Sequence, residues 1–241
     1  MITVKNLSYG YPQQDLFHNI SFTLEEGQHC AFIGVSGSGK SSLVDLIIHP
    51  DDYMFEGDLN IMPNIQIGYV NQFSTADKTQ NLTVFEYIAQ ECLRLKNEIN
   101  ELCEEMATAI DLDTVFEKYQ IALDAFENLG GEEFENSILK KLNLAGLTKH
   151  KDLMLAELSG GEFKLVQVIK EMFVNPHLMI MDEPDAFLDF ENLNALKNLI
   201  NAHKGTLLVI THNRYLLDHC FNKILHLENK ALQEFDGTYR L

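Results

Sequence analysis

Gly34-Val35-Ser36-Gly37-Ser38-Gly39-Lys40-Ser41 fits the pattern G-x-x-x-x-G-K-[ST]. It stands where the chemistry of that pattern requires, between an apolar run at 29–33 that reads as a strand and a segment at 39–48 that reads as a helix ended before Pro50. Glycines in such a turn let backbone N–H groups approach phosphate oxygens, and the start of the helix adds its partial positive charge. Lys40 then reaches the β and γ phosphates of a nucleotide and Ser41 offers a hydroxyl to Mg²⁺, with Ser42 beside it in the same cradle. A Gly-rich strand-to-helix turn also occurs without any ligand, so the lysine and serine at their offsets are what favour the phosphate reading.

Working outward, residues 2–4 and 20–24 read as short strands bounded by turn signals at Tyr11-Pro12 and Glu26-Gly27, with further strands at 58–61 and 67–70. The front of the chain is therefore strand-rich. After Ser159 a helix runs to about residue 174, followed by a strand at 178–181, a helix at 190–202 and a strand at 206–210. Such alternation is that of a parallel sheet in an α/β fold.

Between these halves the apolar positions Ile88, Cys92, Leu95, Ile99, Leu102, Met106 and Ala109 alternate steps of four and three. Val115, Tyr119, Ala122, Phe126 and Leu129 repeat the spacing after a break at 111–113, which predicts two antiparallel helices paired as a hairpin and closed by Gly130-Gly131. These stripes serve the core of the domain, or support a protruding tip, or divide between the two. From 86 to 136 there are 14 acidic side chains against Arg94, Lys96 and Lys118, which puts −11 of the chain's −18 in this one stretch. That balance disfavours attachment to phosphate backbones, and no direct sequence-specific contact with nucleic acid is expected. Lys140, Lys141, Lys149 and Lys151 around His150 are the nearest basic island and read as a solvated face.

Cys30, Cys92, Cys103 and Cys220 form no C-x-x-C pair, which argues against a zinc site or a disulfide framework and fits a reducing cytoplasm. No apolar run approaches the roughly 20 residues that span a bilayer. If the protein serves a membrane, another chain is expected to supply the membrane part.

Two more motifs carry chemistry. The apolar strand at 178–181 ends in Asp182-Glu183-Pro184, setting two carboxylates at the carboxyl end of a central strand. Beside a phosphate loop, Asp182 is suited to hold the metal and Glu183 to orient and deprotonate an attacking water. Leu158-Ser159-Gly160-Gly161-Glu162 opens a helix with two glycines and a hydroxyl, a second set of anion-facing donors. Alone it is an ordinary helix cap.

Taken together, the order of these motifs resembles the ABC ATPase family over nearly the whole chain, with Leu158 to Glu162 as its signature. The resemblance implies a P-loop NTPase of ABC type: a mixed central sheet, an antiparallel β front section and an inserted α-helical subdomain. One nucleotide-binding domain is expected over 1–241, with the insertion at 83–175 and its hairpin at about 88–129. It further implies ATP and Mg²⁺ as ligands, and ATP shared between two halves, so that Ser159, Gly160 and Gly161 face the nucleotide of a second ABC domain. Gln72 matches the glutamine that watches metal and γ-phosphate, Asp189 the D-loop, His212 the switch histidine and Tyr11 the aromatic on which adenine stacks.

Within the family, the 85 residues between Gln72 and Leu158 look like the long helical insertion in the first domain of ABC-F proteins, which are soluble ribosome-associated factors in translation and antibiotic resistance. Thr211-His212-Asn213-Arg214-Tyr215-Leu216-Leu217-Asp218 and Phe235-Asp236-Gly237-Thr238-Tyr239 resemble that family too, where they precede a linker to a second ABC domain. The expected Thr-Asn-His after Glu-Pro is here Asp185-Ala186-Phe187, and the Arg-rich start of the signature helix is Phe163-Lys164-Leu165-Val166. The alternatives are the motor subunit of a membrane transporter, partnered by a transmembrane subunit, and an ATP-dependent conformational scaffold with little turnover.

Overall fold

The computed structural model describes residues 1–12, 14–71 and 76–237. The chain divides into two compact units, one of Met1–Ser74 with Pro176–Leu241 and the other of Thr75–Asn175.

In the first unit, β1 (Ile2–Tyr11), β2 (Gln14–Leu24) and β4 (Glu56–Ile61) form an antiparallel sheet in the order β2-β1-β4. Both β1 and β2 run well beyond the predicted 2–4 and 20–24. Asn6 and Asn19 adopt left-handed backbone, at φ 50° and 52°, and the β1–β2 register shifts between Val4 and Leu7 and again around Tyr9. Such bulges break the two-residue alternation by which a strand is read from sequence.

The second sheet has the order β5-β6-β7-β3-β8-β9, with β3 (His29–Ile33), β5 (Ile67–Val70), β6 (Leu178–Asp182), β7 (Thr206–Ile210) and β8 (Lys223–Glu228) mutually parallel. β9 (Ala231–Asp236) pairs antiparallel with β8, so the sheet is mixed. Every residue of β6 and β7 is buried, as expected of parallel strands covered on both faces. α1 (Lys40–Ile48), α6 (Phe190–Ala202) and α7 (Arg214–Cys220) belong to this unit.

The strand order carries the function. β3 lies against β7, and β7 against β6, with Phe32 opposite Ile210 and Ile210 opposite Asp182. The segments leaving these three strands therefore emerge side by side at one sheet edge, the location where open α/β sheets bind ligands.

The second unit is helical. α2 (Val84–Met106) starts at Thr83, whose hydroxyl accepts the Glu86 N–H while the Glu86 carboxylate accepts the Thr83 N–H, a reciprocal cap. α3 (Leu112–Asn128) returns alongside α2 and is followed by Gly130 at φ 105°. Cys92, Leu95 and Leu102 of α2 and Val115, Ala122 and Phe126 of α3 are buried. The root of α2 also packs on α4 (Phe134–Leu144) and α5 (Gly160–Phe173), so the apolar stripes divide between core and tip. At the tip Ile110 is fully exposed and Leu112 and Phe116 are exposed, as is Ile121 midway along α3. Among the described residues no helix is long and apolar enough to cross a membrane.

Candidate phosphate and nucleotide site

The loop between β3 and α1 depends on glycine at close approaches. A Cβ on Gly34 would stand 2.4 Å from the Leu227 carbonyl oxygen, and Gly39 takes φ 102° with Leu16 Cβ 3.1 Å from where its own Cβ would lie. The clash at Gly34 excludes a side chain, and the left-handed backbone at Gly39 strains one. Gly37, at φ 78°, faces open space, and Val35 and Ser36 are exposed. The Ser38 hydroxyl is buried with no hydrogen-bond partner among the described residues, an orphaned polar group that a ligand oxygen in the loop could satisfy.

Lys40 is buried at the start of α1 and donates from Nζ to the carbonyls of Gly34 (2.6 Å) and Val35 (2.9 Å). The ammonium is thus held inside the loop it serves. Burial pushes its pKa below the ordinary lysine value, while the Glu183 and Asp182 carboxylates oppose that shift. Ser41 Oγ donates to Asp182 Oδ2 at 2.8 Å, joining residues 141 positions apart in sequence. Asp182 ends β6 and is itself buried. Ser42 lies half-buried in the first turn of α1.

This donor set suits Mg²⁺. The ion prefers hard oxygen ligands and is held in phosphate sites by one or two protein groups, with phosphate and water completing the shell. Ser41 and Asp182 are the described residues that would hold it.

Glu183 follows directly in left-handed backbone at φ 47°, its N–H donating to the Ile210 carbonyl at 2.9 Å. A non-glycine residue there costs on the order of 1–3 kcal/mol, a strain that concentrates at functional sites. Its bond to the end of β7 holds the turn that follows Asp182. Asp185, where the sequence departs from the ABC-F pattern, is half-buried, with Oδ1 lacking a hydrogen-bond partner among the described residues. Burial holds its carboxyl above the usual range, the Thr211 hydroxyl pulling the other way.

His212, just past β7, lines an open cavity of about 260 Å³ together with Gly34, Val35 and Arg214. The switch candidate and the phosphate loop thus share one space. Tyr11, at the end of β1, is half exposed and meets Tyr9 edge-on at 5.7 Å; Tyr9 in turn lies 5.9 Å from Phe17, whose ring borders Gly39. An aromatic row therefore runs from Tyr11 to the head of α1. Asp189 caps α6, accepting the Asn192 N–H at 2.8 Å. Gln72 lies outside the described residues.

In the helical unit, Ser159 caps α5, its hydroxyl accepting the Glu162 N–H at 3.2 Å and its own N–H donating to Glu162 Oε2 at 2.7 Å. The Ser159 N–H holds the Glu162 carboxyl below its ordinary value, and His150 Nε2 stands 3.2 Å from the other carboxylate oxygen. Gly160 faces open space. Sequence reasoning passed over Lys78, which donates to the Leu158 carbonyl at 2.6 Å; a lone lysine in a polar stretch carries no pattern.

The ABC transporter family matches residues 17–186 of this chain. YfmM, an uncharacterized ABC transporter ATP-binding protein of Bacillus subtilis (strain 168), is 27% identical over 252 residues, covering 99% of this chain and 47% of its own length. EttA, the energy-dependent translational throttle protein of Haemophilus influenzae, is 29% identical over 232 residues, covering 95% of this chain and 41% of its own. The chain therefore spans less than half the length of these relatives. Among solved structures, an ATP-binding subunit of an ABC transporter superposes with a TM-score of 0.69 at 20% identity, covering 98% of this chain and 90% of that one. An ATP-binding cassette of an ABC transporter in its ADP conformation gives 0.67 at 23%, covering 98% and 91%. At those identities the structures speak for the fold.

Proposed function

Because the chain belongs to the ABC transporter family, we propose that it binds Mg-ATP in the cradle around Lys40 and hydrolyses it to ADP and phosphate in a site completed by a second ABC domain. The observation that carries this reading is the 2.8 Å bond between Ser41, in the helix after β3, and Asp182, at the end of β6, two strands that flank β7, beside Lys40 and Glu183. Lys40, released from the Gly34 and Val35 carbonyls, turns its ammonium to the β and γ phosphates. Glu183 orients a water and accepts its proton as the oxygen attacks the γ-phosphorus and the bond to the bridging oxygen of ADP breaks. His212 contacts the γ-phosphate from its cavity, and Gln72 and Asp189 act as the family resemblance implies. Ser41 and Asp182 would hold Mg²⁺, which when bound would neutralise part of the phosphate charge.

The second half is needed because Ser159, Gly160 and Gly161 open a separate helix, and one nucleotide has no use for two cradles in the same chain. Phosphoryl transfer rests on positioning and charge stabilisation, so turnover depends on the facing half. The wider role is that of a cytoplasmic ABC-F type factor acting on the ribosome. Its support is the likeness to a translational throttle protein over 95% of this chain and the long helical insertion. A transporter motor is the competing outcome.

The test is the ATPase rate per chain against protein concentration, with sedimentation of Glu183→Gln in Mg-ATP. The reading expects slow turnover when dilute, a rising rate on association, and a trapped ATP-bound dimer in the variant. Fast, concentration-independent turnover by a monomer overturns the shared site. For the wider role, the full parent polypeptide carrying Glu183→Gln is mixed with ribosomes and with membranes; ATP-dependent retention on membranes alone sinks the ABC-F assignment.

A further inference from the structure

The peptide unit joining Leu158 to Ser159 is gripped at both ends by opposite charges. Its carbonyl oxygen accepts from the Lys78 ammonium at 2.6 Å, and its N–H donates to the Glu162 carboxylate at 2.7 Å. A peptide is planar, so two such bonds fix the orientation of the whole plane, and hydrogen bonds to charged groups are the stronger kind. The mount under Lys78 is itself firm. Its neighbour Asp77 accepts from the Tyr87 hydroxyl at 2.8 Å and from Gln80 at 2.8 Å. The following segment pairs with the one before the signature, Leu155 N–H donating to the Leu82 carbonyl at 3.0 Å and Val84 N–H to that of Leu153 at 2.9 Å.

The grip decides which donors remain for an anion. The Ser159 N–H is consumed by Glu162, and the Ser159 hydroxyl oxygen, already accepting the Glu162 N–H, keeps its own proton to give. The N–H groups of Gly160 and Gly161 open α5, where a helix offers them no internal partner, and Gly160 faces open space. Without Lys78 the Leu158 carbonyl, a partial negative charge, is free to swing toward the space an anion must enter.

We infer that Lys78 is a positioning residue of the signature loop: by holding the Leu158 carbonyl it fixes the Leu158–Ser159 peptide and presents the Ser159 hydroxyl and the Gly160 and Gly161 N–H groups to the nucleotide of the facing half. This rests on the shared-site reading above. In this inference Lys78 acts through the Leu158 carbonyl and takes no part in the reaction itself.

Three forms of the full chain are compared: Lys78, Lys78→Met, which keeps the stem but loses the charge and donors, and Lys78→Arg, which keeps both. Amide hydrogen exchange across 158–162 reads the loop directly and needs no partner. Lys78→Met is expected to speed it about tenfold, the effect of losing one hydrogen bond with a charged donor, and Lys78→Arg to restore most of the protection. In the Glu183→Gln background, Lys78→Met is expected to leave the ATP affinity of the monomer within about twofold while raising the concentration needed for ATP-driven dimerisation about tenfold, again with recovery in Lys78→Arg. Unchanged exchange in Lys78→Met overturns the inference by itself. Faster exchange with unchanged dimerisation overturns the functional half of it. Failure of the Lys78 form to dimerise with ATP at all, whatever the exchange data, identifies the shared-site reading as the one that fell.

Discussion

Replacing Ser41 by alanine tests its proposed metal role apart from the phosphate loop. In the structure the Ser41 hydroxyl donates to Asp182 Oδ2 at 2.8 Å, across the junction of α1 and β6. Its removal takes one of the two described protein oxygens from the proposed Mg²⁺ site and frees the buried Asp182 carboxylate from its bond to Ser41. A hydrogen bond to a charged group contributes about 1.5–3 kcal/mol. Ser41 is exposed, so water can stand in for the hydroxyl and the lower figure applies, about 1.5 kcal/mol, or roughly tenfold in a binding constant. The phosphate contacts proposed for Lys40 and the loop N–H groups do not involve the hydroxyl. The expected result is therefore conditional: ATP affinity drops about tenfold in Mg²⁺ and stays within about twofold of the parent in chelator. Titration calorimetry on the parent, Ser41→Ala and Ser41→Thr, each with and without Mg²⁺, measures the cycle, and Ser41→Thr is expected to behave as the parent. An equal drop in both conditions would mean that Ser41 shapes the loop and does not serve the metal. No drop in either would remove it from the site.

Two further outcomes test other parts of the site. Tyr11→Ala is expected to weaken ATP by the worth of one aromatic stack, about 0.5–1.5 kcal/mol or two- to twelvefold, with Tyr11→Phe close to the parent; an unchanged dissociation constant takes Tyr11 out of the adenine seat. Burial holds the folded Asp185 carboxyl above its unfolded value, so the folded chain binds that proton more tightly. Stability is then lost as pH rises from the unfolded value of about 3.9 through the raised one. Asp185→Asn removes this loss, so its melting temperature relative to the parent should improve between pH 4 and pH 7, and a pH-independent difference would falsify the assignment.

What could be read from the sequence follows from what each feature demands of residue types. The phosphate loop was legible because the close backbone approach at Gly34 and the left-handed backbone at Gly39 select glycine, and the spans of β3, β7 and α6 agree with their sequence patterns because a buried apolar run or a helical stripe leaves a trace. β1 and β2 were cut short because Asn6 and Asn19 shift the register that alternation relies on. α4 carries its own trace in Phe134, Ile138 and Leu142, all buried; it was missed because its stripe is only three residues long and opens straight after the Gly130-Gly131 break. At the site, Asp182 and Glu183 could be placed beside Lys40 once the strands were ordered, since adjacency of strand ends is a topological fact. Lys78 could not. Any long cation can hold a carbonyl, so nothing in its neighbours marks it, and its partner Leu158 lies 80 positions away. The groups that meet the ligand are chosen by chemistry and leave motifs. The groups that aim them are chosen by reach, and only the folded chain reveals them.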